Sequence, residues 1–464
     1  MKIEKVVLIE PKSPGFNFFS SVQMPLLGLP ILGSILQQLG FKVKIFCENF
    51  SSLDWQQIKE ADVVGISVLT SLAPRAYKIA HKIKEVNPGI KVIMGGVHVS
   101  MKPEEALENG ADIVVRGEGE EVIKKLIYRL SHDENLKDIK GISYIQDGEY
   151  RHNPDSKPVD MSKIPAPDFS LIENYKEIPY IPYQTSRGCP HNCEFCSVVR
   201  MFGRQIRNRN PAQVIEDLKN ITEKSFQQDK HVFIVDDNFS ANFKRAQKLL
   251  NKLQGSDLDL EWSTQEEVLV HKKEELLDLM SQTGCKRLHL GIESTDPEVL
   301  QEYKKPQNKS DIFSAVKKIK KRGISVHGMF VLGAENDTVD TIKETIKTAI
   351  DLDLETAQFF ILVPPPGTEL FQKIKEEGRL LADKISDWKF FDGQHVVFEP
   401  QNMTPATLQK IQVQGFKKFY SFKRTLKWLG RRKFYEAAVN LYGMWALKRW
   451  KWENRDFIKN LPED

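Results

Sequence analysis

Long hydrophobic runs are missing from this 464-residue sequence. The longest, Phe359 to Val363, runs into three prolines and falls far short of the roughly 20 apolar residues that cross a bilayer. The N-terminal MKIEKVVLIEP reads as a first strand, and its apolar run stops at Pro11, too soon for a secretory signal. A cytoplasmic location is therefore expected. Cysteine is scarce as well. Cys47, Cys189, Cys193, Cys196 and Cys285 make an odd set, which argues against a disulfide framework. Charge of one sign is also lacking: 67 Lys plus Arg face 63 Asp plus Glu, a net +4 that gives no global attraction to nucleic acid. Hydrophobic residues, at 41%, are too many for a disordered chain, and at about 100–200 residues per domain the length suggests two or three domains.

What is present begins with alternation. Five Val- and Ile-rich runs, Lys5–Ile9, Lys42–Phe46, Asp62–Val68, Lys91–Met94 and Asp112–Val115, alternate with helical patterns at Leu29–Leu39, Pro74–Glu85 and Glu120–Ser131. The runs lack strict polar alternation, as expected of strands covered on both faces. The fold class is α/β, with a doubly wound parallel sheet at the N-terminus. Such a sheet binds ligands at the carboxyl ends of its strands. The tips here are small: Ser67 to Ser71, Gly95-Gly96-Val97-His98, and Gly117-Glu118-Gly119-Glu120. Each alone is ordinary loop punctuation. Three on one edge indicate a binding edge, because glycine lets a ligand approach the backbone.

Together with the lead-in Pro25-Leu26-Leu27-Gly28-Leu29, these pieces resemble the cobalamin-binding domain that precedes the barrel in a subset of radical S-adenosylmethionine (SAM) enzymes. The resemblance covers about residues 1–135. It implies cobalamin contacts from Leu27, Gly28, Ser67, Thr70, Gly95, Gly96, Val97, His98, Gly117 and Glu118. One departure matters. The loop Glu10 to Ser20 has no Asp-x-His-x-x-Gly, and neither His81 nor His98 has glycine three residues later. The resemblance then implies cobalt without a protein imidazole beneath it, with His98 near the nucleotide tail.

Gly141–Arg151 alternates around Asp147-Gly148, a hairpin signal, and six prolines follow between 154 and 182. Residues 136–182 read as a small β appendage and a connector. Next comes Cys189-x-x-x-Cys193-x-x-Cys196 on a Gly/Pro/Asn loop. Short spacings let one loop wrap an iron–sulfur cluster with three thiolates, leaving one iron open for a chelating ligand. A zinc site would need a fourth ligand such as His191, whose ring would have to fold back inside the loop.

This spacing, with Phe195 before the last cysteine, resembles the radical SAM signature. The resemblance covers about 180–375, with domain limits taken as 183–375. It implies a [4Fe-4S] cluster on the three cysteines and SAM on its open iron. It also implies SAM contacts from Phe195 and from matching strand ends: Asp236, Asp237 and Asn238 after Val232–Val235, Glu293 and Ser294 after His289–Ile292, Gly333 after Val326–Leu332 and followed by Glu335, and Pro364 in Phe359–Thr368. Helical patterns at Pro211–Glu223, Phe243–Leu253, Lys273–Gln282, Lys309–Arg322 and Thr338–Leu352 complete a partial (β/α)6 barrel. Cys285 reads as a buried small residue.

Residues 376–464 read as a helical, substrate-covering region, with Trp388–Pro400 placed as a covering loop. Trp428, Trp445, Trp450 and Trp452 lie among many Lys and Arg. That pattern suits either a cap on the barrel whose basic stems snorkel or a peripheral contact with an anionic membrane. No nucleic-acid partner is expected. The resemblance implies methyl transfer to an unactivated carbon through methylcobalamin, on a small-molecule substrate with lipids among the candidates, and a low-potential electron donor. The alternatives it leaves open are a non-methylating cyclisation or rearrangement of a lipidic or tetrapyrrole substrate, methylthiolation, and a non-catalytic cobalamin sensor.

Overall fold

The computed structural model describes residues 3–18, 23–225, 231–382 and 384–463. Residues 19 and 20 of the Glu10–Ser20 loop lie outside that set. The Val- and Ile-rich runs form the core of a seven-stranded sheet: β1 (Lys5–Glu10), β2 (Lys42–Cys47), β3 (Val63–Ser67), β4 (Lys91–Gly95), β5 (Ile113–Val115), β6 (Ile142–Gln146) and β7 (Glu149–His152). Its order is β2-β1-β3-β4-β5-β6-β7, with β1 to β5 parallel. The chain reverses its winding between β1 and β3, so the cleft for a ligand falls there. The hairpin β6–β7 does not stand apart as an appendage. Its β6 pairs antiparallel with β5 and extends the sheet, because the carbonyls and amides on that side of β5 need partners.

The second sheet consists of β8 (Tyr180–Tyr183), β11 (His231–Ile234), β12 (Trp262–Glu267), β13 (Cys285–Glu293), β14 (Ser325–Leu332) and β15 (Thr356–Ile361). A two-residue ladder, β9 (Ser186–Arg187) against β10 (Arg207–Asn208), brackets the cysteine loop between β8 and β11. The six long strands are parallel in the order β15-β14-β13-β12-β11-β8, and β8 and β15 do not meet. This is an open half-barrel. The helices stand within a residue or two of their sequence expectations, and two begin in capping boxes, Asn308 with Asp311 and Thr338 with Thr341.

An open barrel leaves β15 with unpaired backbone groups. The C-terminal segment covers them. The Tyr420 hydroxyl donates to the Ala357 carbonyl at 2.8 Å and accepts from the Ala357 amide at 3.1 Å, Gln412 donates to the Phe359 carbonyl, and the Ile361 amide donates to Gly393. Among the described residues no helix is long and apolar enough to cross a membrane.

Several titratable groups are buried in the barrel wall. Glu266 on β12 is enclosed, with one carboxylate oxygen on the Ser240 hydroxyl and the other without a partner. Burial, and then the charge of Glu267, pushes its carboxyl up to about 8. A raised carboxyl contributes stability that is complete below the unfolded value and is lost as pH rises through the folded value. Glu266→Gln copies the neutral form. Its melting temperature relative to the parent should climb as pH is raised from the unfolded carboxyl range toward 8 and then level off. A difference independent of pH in thermal melts contradicts a neutral Glu266.

Candidate functional site

At the β1/β3 switch point the first sheet opens into an apolar cavity of about 290 Å³. Leu8, Gly65, Ile66 and Ile93 form its floor, and Leu29, Leu32 and Leu36 line its helical side. A cavity of this size holds part of a large ligand and leaves the remainder at the mouth. At Gly65 in the floor a Cβ would lie 2.7 Å from the end of the Leu8 side chain, which would have to shift. At the rim, Gly96 adopts φ of 111° and passes so close to Val68 that a Cβ would lie 2.8 Å from its carbonyl oxygen. No histidine among the described residues lines the cavity.

Of the residues expected at this edge, Leu27, Gly28, Ser67, Gly95, Gly96, Val97, Gly117 and Glu118 line the cavity. Thr70 and His98 do not. His98 is wholly buried, with Nε2 3.0 Å from Glu105 and Nδ1 without a partner. The same Glu105 oxygen accepts from the Tyr77 hydroxyl at 2.9 Å and from Trp388 Nε1 at 3.0 Å. Burial opposes the charge on Glu105, but these donors outweigh it and lower its pKa. Trp388 is therefore buried against the first domain, and it straps the C-terminal segment there.

The opposite wall of the cavity belongs to the barrel, through Gln184, Arg187, Met201, Phe202 and Val235. Arg187 is the central contact. Its guanidinium reaches Glu118 at 2.7 Å and Glu120 at 2.6 Å, and its Nε donates to Gln184 at 2.7 Å. Burial works against the charge on Arg187, but the two carboxylates prevail and raise its pKa. Glu118 also accepts from Arg207 and from the Val159 amide. The Gly-Glu-Gly-Glu tip is thus a docking point as well as cavity wall.

Two residues after Arg187 the cysteine loop begins. Gly188, at φ of 93°, turns the chain where a Cβ would strike the Gln205 carbonyl. Cys189, Cys193 and Cys196 are half-buried; burial is the main cause that raises all three and takes Cys196 up to about 11, with Cys193 adding to Cys189 and both adding to Cys196. Cys47 and Cys285 are buried elsewhere. Among the described residues no three His, Cys, Asp or Glu side chains gather tightly enough for a single metal ion. A mononuclear site needs its sulfurs about 2.3 Å from one centre, whereas a four-iron cube spaces its thiolates more widely. Three thiols brought together on one short loop fit the three-thiolate ligation of an iron–sulfur cluster.

The expected SAM contacts divide. Asp236 is enclosed and locks the end of β8, accepting from the amides and hydroxyls of Thr185 and Ser186. Ser294 is buried against Thr345 and accepts the Asp296 amide. The Gly333 amide donates to Asp337, and Glu335 is paired with Lys373 and Arg379. Pro364 is buried at the end of β15, and Phe195 packs edge-on against Tyr303. Asp237 and Asn238 each keep a buried oxygen without a hydrogen-bond partner. Burial and the charge of Asp236 raise Asp237 to about 6, and its charge in turn acts on Cys189 and Cys196. Glu293 follows a register shift in β13, sits at φ of 62°, and pairs with Lys305 at 2.9 Å. Burial alone would lower the pKa of Lys305, but Glu293, Cys193 and Cys189 outweigh it. His191 is 3.1 Å from Glu267 at the end of β12.

Sequence reasoning missed Lys305, Arg187 and the Glu105 cluster. Arg187 alone left a signal, as a charged residue two positions before the first cysteine.

A doubly wound sheet with an apolar switch-point cavity, facing a parallel half-barrel with three thiols on its first loop, defines a radical SAM protein with a corrinoid-binding domain. Residues 183–368 match the Radical SAM superfamily, and residues 20–127 match the B12 binding domain. The chain is similar to an uncharacterized methyltransferase of Pyrococcus horikoshii, 32% identical over 90% of this chain and 93% of that protein. It is 28% identical to the anaerobic magnesium-protoporphyrin IX monomethyl ester cyclase of Rubrivivax gelatinosus, over 86% of this chain and 74% of that one. Among solved structures, the radical SAM methyltransferase TsrM of Kitasatospora setae, with cobalamin and a [4Fe-4S] cluster bound, superposes with a TM-score of 0.69 at 20% identity, covering 81% of this chain and 78% of that one. The chain belongs to the cobalamin-binding radical SAM enzymes, whose cofactors are a [4Fe-4S] cluster, SAM and cobalamin.

Removing Arg187 leaves buried carboxylates without their main cation. Arg187→Met should cost about 3–5 kcal/mol in chemical denaturation. A loss below about 1 kcal/mol, the range of an exposed pair, contradicts the clamp.

Proposed function

We propose that this enzyme transfers a methyl group to an unactivated carbon of a small, apolar substrate. The observation that carries the reading is the shared wall: Gln184, Arg187, Met201 and Phe202, which flank the cysteine loop in sequence, also line the switch-point cavity. Two cofactor sites with a common wall give the proximity that a group transfer between them demands. When bound, the cluster and SAM supply a 5′-deoxyadenosyl radical, and cobalamin supplies the methyl group.

The chain's own residues hold and shield. Cys189, Cys193 and Cys196 would ligate the cluster, with the remaining iron left to SAM. Asp237 and Asn238 have acceptor oxygens free for the SAM ammonium, and Lys305 offers a buried cation for its carboxylate, beside Glu293. Phe195 packs the loop edge-on against Tyr303. In the other domain, Leu27, Gly28, Ser67, Gly95, Gly96 and Val97 would border the corrinoid. Functionally the chain divides into residues 1–135, a connector at 136–182, a core at 183–375 and a covering region at 376–464.

A small-molecule substrate agrees with the named relatives. We favour a lipid or a tetrapyrrole, met at a membrane surface through the basic C-terminal helices. Similarity to the cyclase supports a second reading, a cyclisation without methyl transfer on the same scaffold.

Two measurements test the proposal. After anaerobic reconstitution, alanine at Cys189, Cys193 or Cys196 should abolish the iron–sulfur absorbance, whereas Cys47→Ala and Cys285→Ala should retain it. Retention in any of the first three contradicts the ligand set. SAM labelled in its methyl group should then pass label to product in the reduced, cobalamin-loaded enzyme. Product formed without label selects the cyclising reading.

A further inference from the structure

The helix Phe434–Glu453 is apolar on two opposite sides. One side, with Ala437, Gly443, Ala446 and Trp450, is buried against the protein. The other carries Phe434, Leu441, Trp445 and Trp452, which are 68%, 48%, 49% and 68% exposed. At 3.6 residues per turn these four fall in one row, about 27 Å long at a rise of 1.5 Å per residue. The preceding helix, Phe422–Gly430, repeats the arrangement: Arg424, Thr425 and Trp428 point inward, while Phe422, Leu426 and Leu429 are exposed. Two exposed apolar stripes on one helical hairpin exceed the scattered single residues of an ordinary surface.

Charge identifies the occupant. From Lys417 to Trp452 the sequence has eleven Lys and Arg and one acid, Glu436. Arg424 is buried on the Leu354 carbonyl, Lys427 and Arg431 pair with Asp353, Lys433 reaches Glu436, and Arg449 pairs with Glu453. Lys417, Lys418, Lys423, Arg432, Lys448 and Lys451 have no acidic partner among the described residues. A second copy of the chain on this face would set cations against cations. An anionic bilayer satisfies both features: acyl chains take the apolar row, and lipid phosphates take the free amines. Tryptophan favours that boundary, with its ring in the apolar layer and its N–H among headgroups.

We propose that the hairpin 422–453 rests on an anionic membrane surface, with Phe434, Leu441, Trp445 and Trp452 entering the headgroup layer. This deepens, and rests on, the membrane part of the functional reading, and it is independent of whether the reaction is methyl transfer or cyclisation. The test is flotation of the full-length protein with vesicles of phosphatidylcholine alone or with phosphatidylglycerol added. Binding is expected only to the anionic vesicles, weakening as salt screens the lysines. The double variant Leu441→Glu, Trp452→Glu should lower the bound fraction about tenfold or more, because two charges must enter the interface. Leu39→Glu, an exposed apolar position on the first domain, should bind as the parent does. SAM cleavage by the same samples without vesicles reads the chemistry separately, so cleavage without flotation overturns the docking alone. Equal binding by the double variant also overturns it. So does a parent that sediments as a dimer and is made monomeric by the double variant, since the face then joins two copies.

Discussion

The enclosed contact of Arg187 with Glu118 and Glu120 fixes how the two halves of this enzyme meet. Ion pairs taken out of water recover their desolvation cost only when every charge is matched and the remaining donors are used. Here both carboxylates engage the guanidinium, Arg207 and the Val159 amide add to Glu118, and Gln184 accepts from Nε, while the second oxygen of Glu120 is buried without a partner. Because Arg187 lies two residues before Cys189, the contact that docks the domains also sets the origin of the cysteine loop. A shift at the Gly-Glu-Gly-Glu tip is therefore a shift of the loop.

A second set of contacts holds the far side. Trp388 and the Glu105 cluster tie the C-terminal segment to the first domain, and Tyr420 and Gln412 seal the free edge of β15. The half-barrel thus stays unclosed between β8 and β15, while the β15 edge, which would be a liability if exposed, is covered. The free oxygens of Asp237 and Asn238 and the Glu293–Lys305 pair border the cysteine loop on the strand ends, while the structural carboxylate Asp236 is turned inward.

Much of this was legible in the sequence, because local pattern decides it. The strands of both sheets, their helices, the cysteine spacing and the glycines at the strand tips follow from runs of a few residues. What escaped depends on contacts between distant segments. Nothing near Glu118 reveals that Arg187 and Arg207 will reach it, and nothing near His98 reveals that Glu105 and Trp388 turn it from the cavity rim into the wall. Asp236 and Asp237 are neighbours in sequence, and only packing separates the anchor from the free acceptor. The tryptophans of the C-terminus show the same limit: Trp428 and Trp450 are core, Trp445 and Trp452 are surface, and composition alone treats them alike.

The central claim is that one rigid contact holds the cluster loop against the corrinoid cavity. Pulsed electron paramagnetic resonance on the enzyme carrying both cob(II)alamin and a reduced cluster reads that directly. A single, narrow cobalt-to-cluster distance that broadens when Arg187 is replaced by methionine is the result the account predicts. Two centres without magnetic interaction, or a distribution already broad in the parent enzyme, would contradict it.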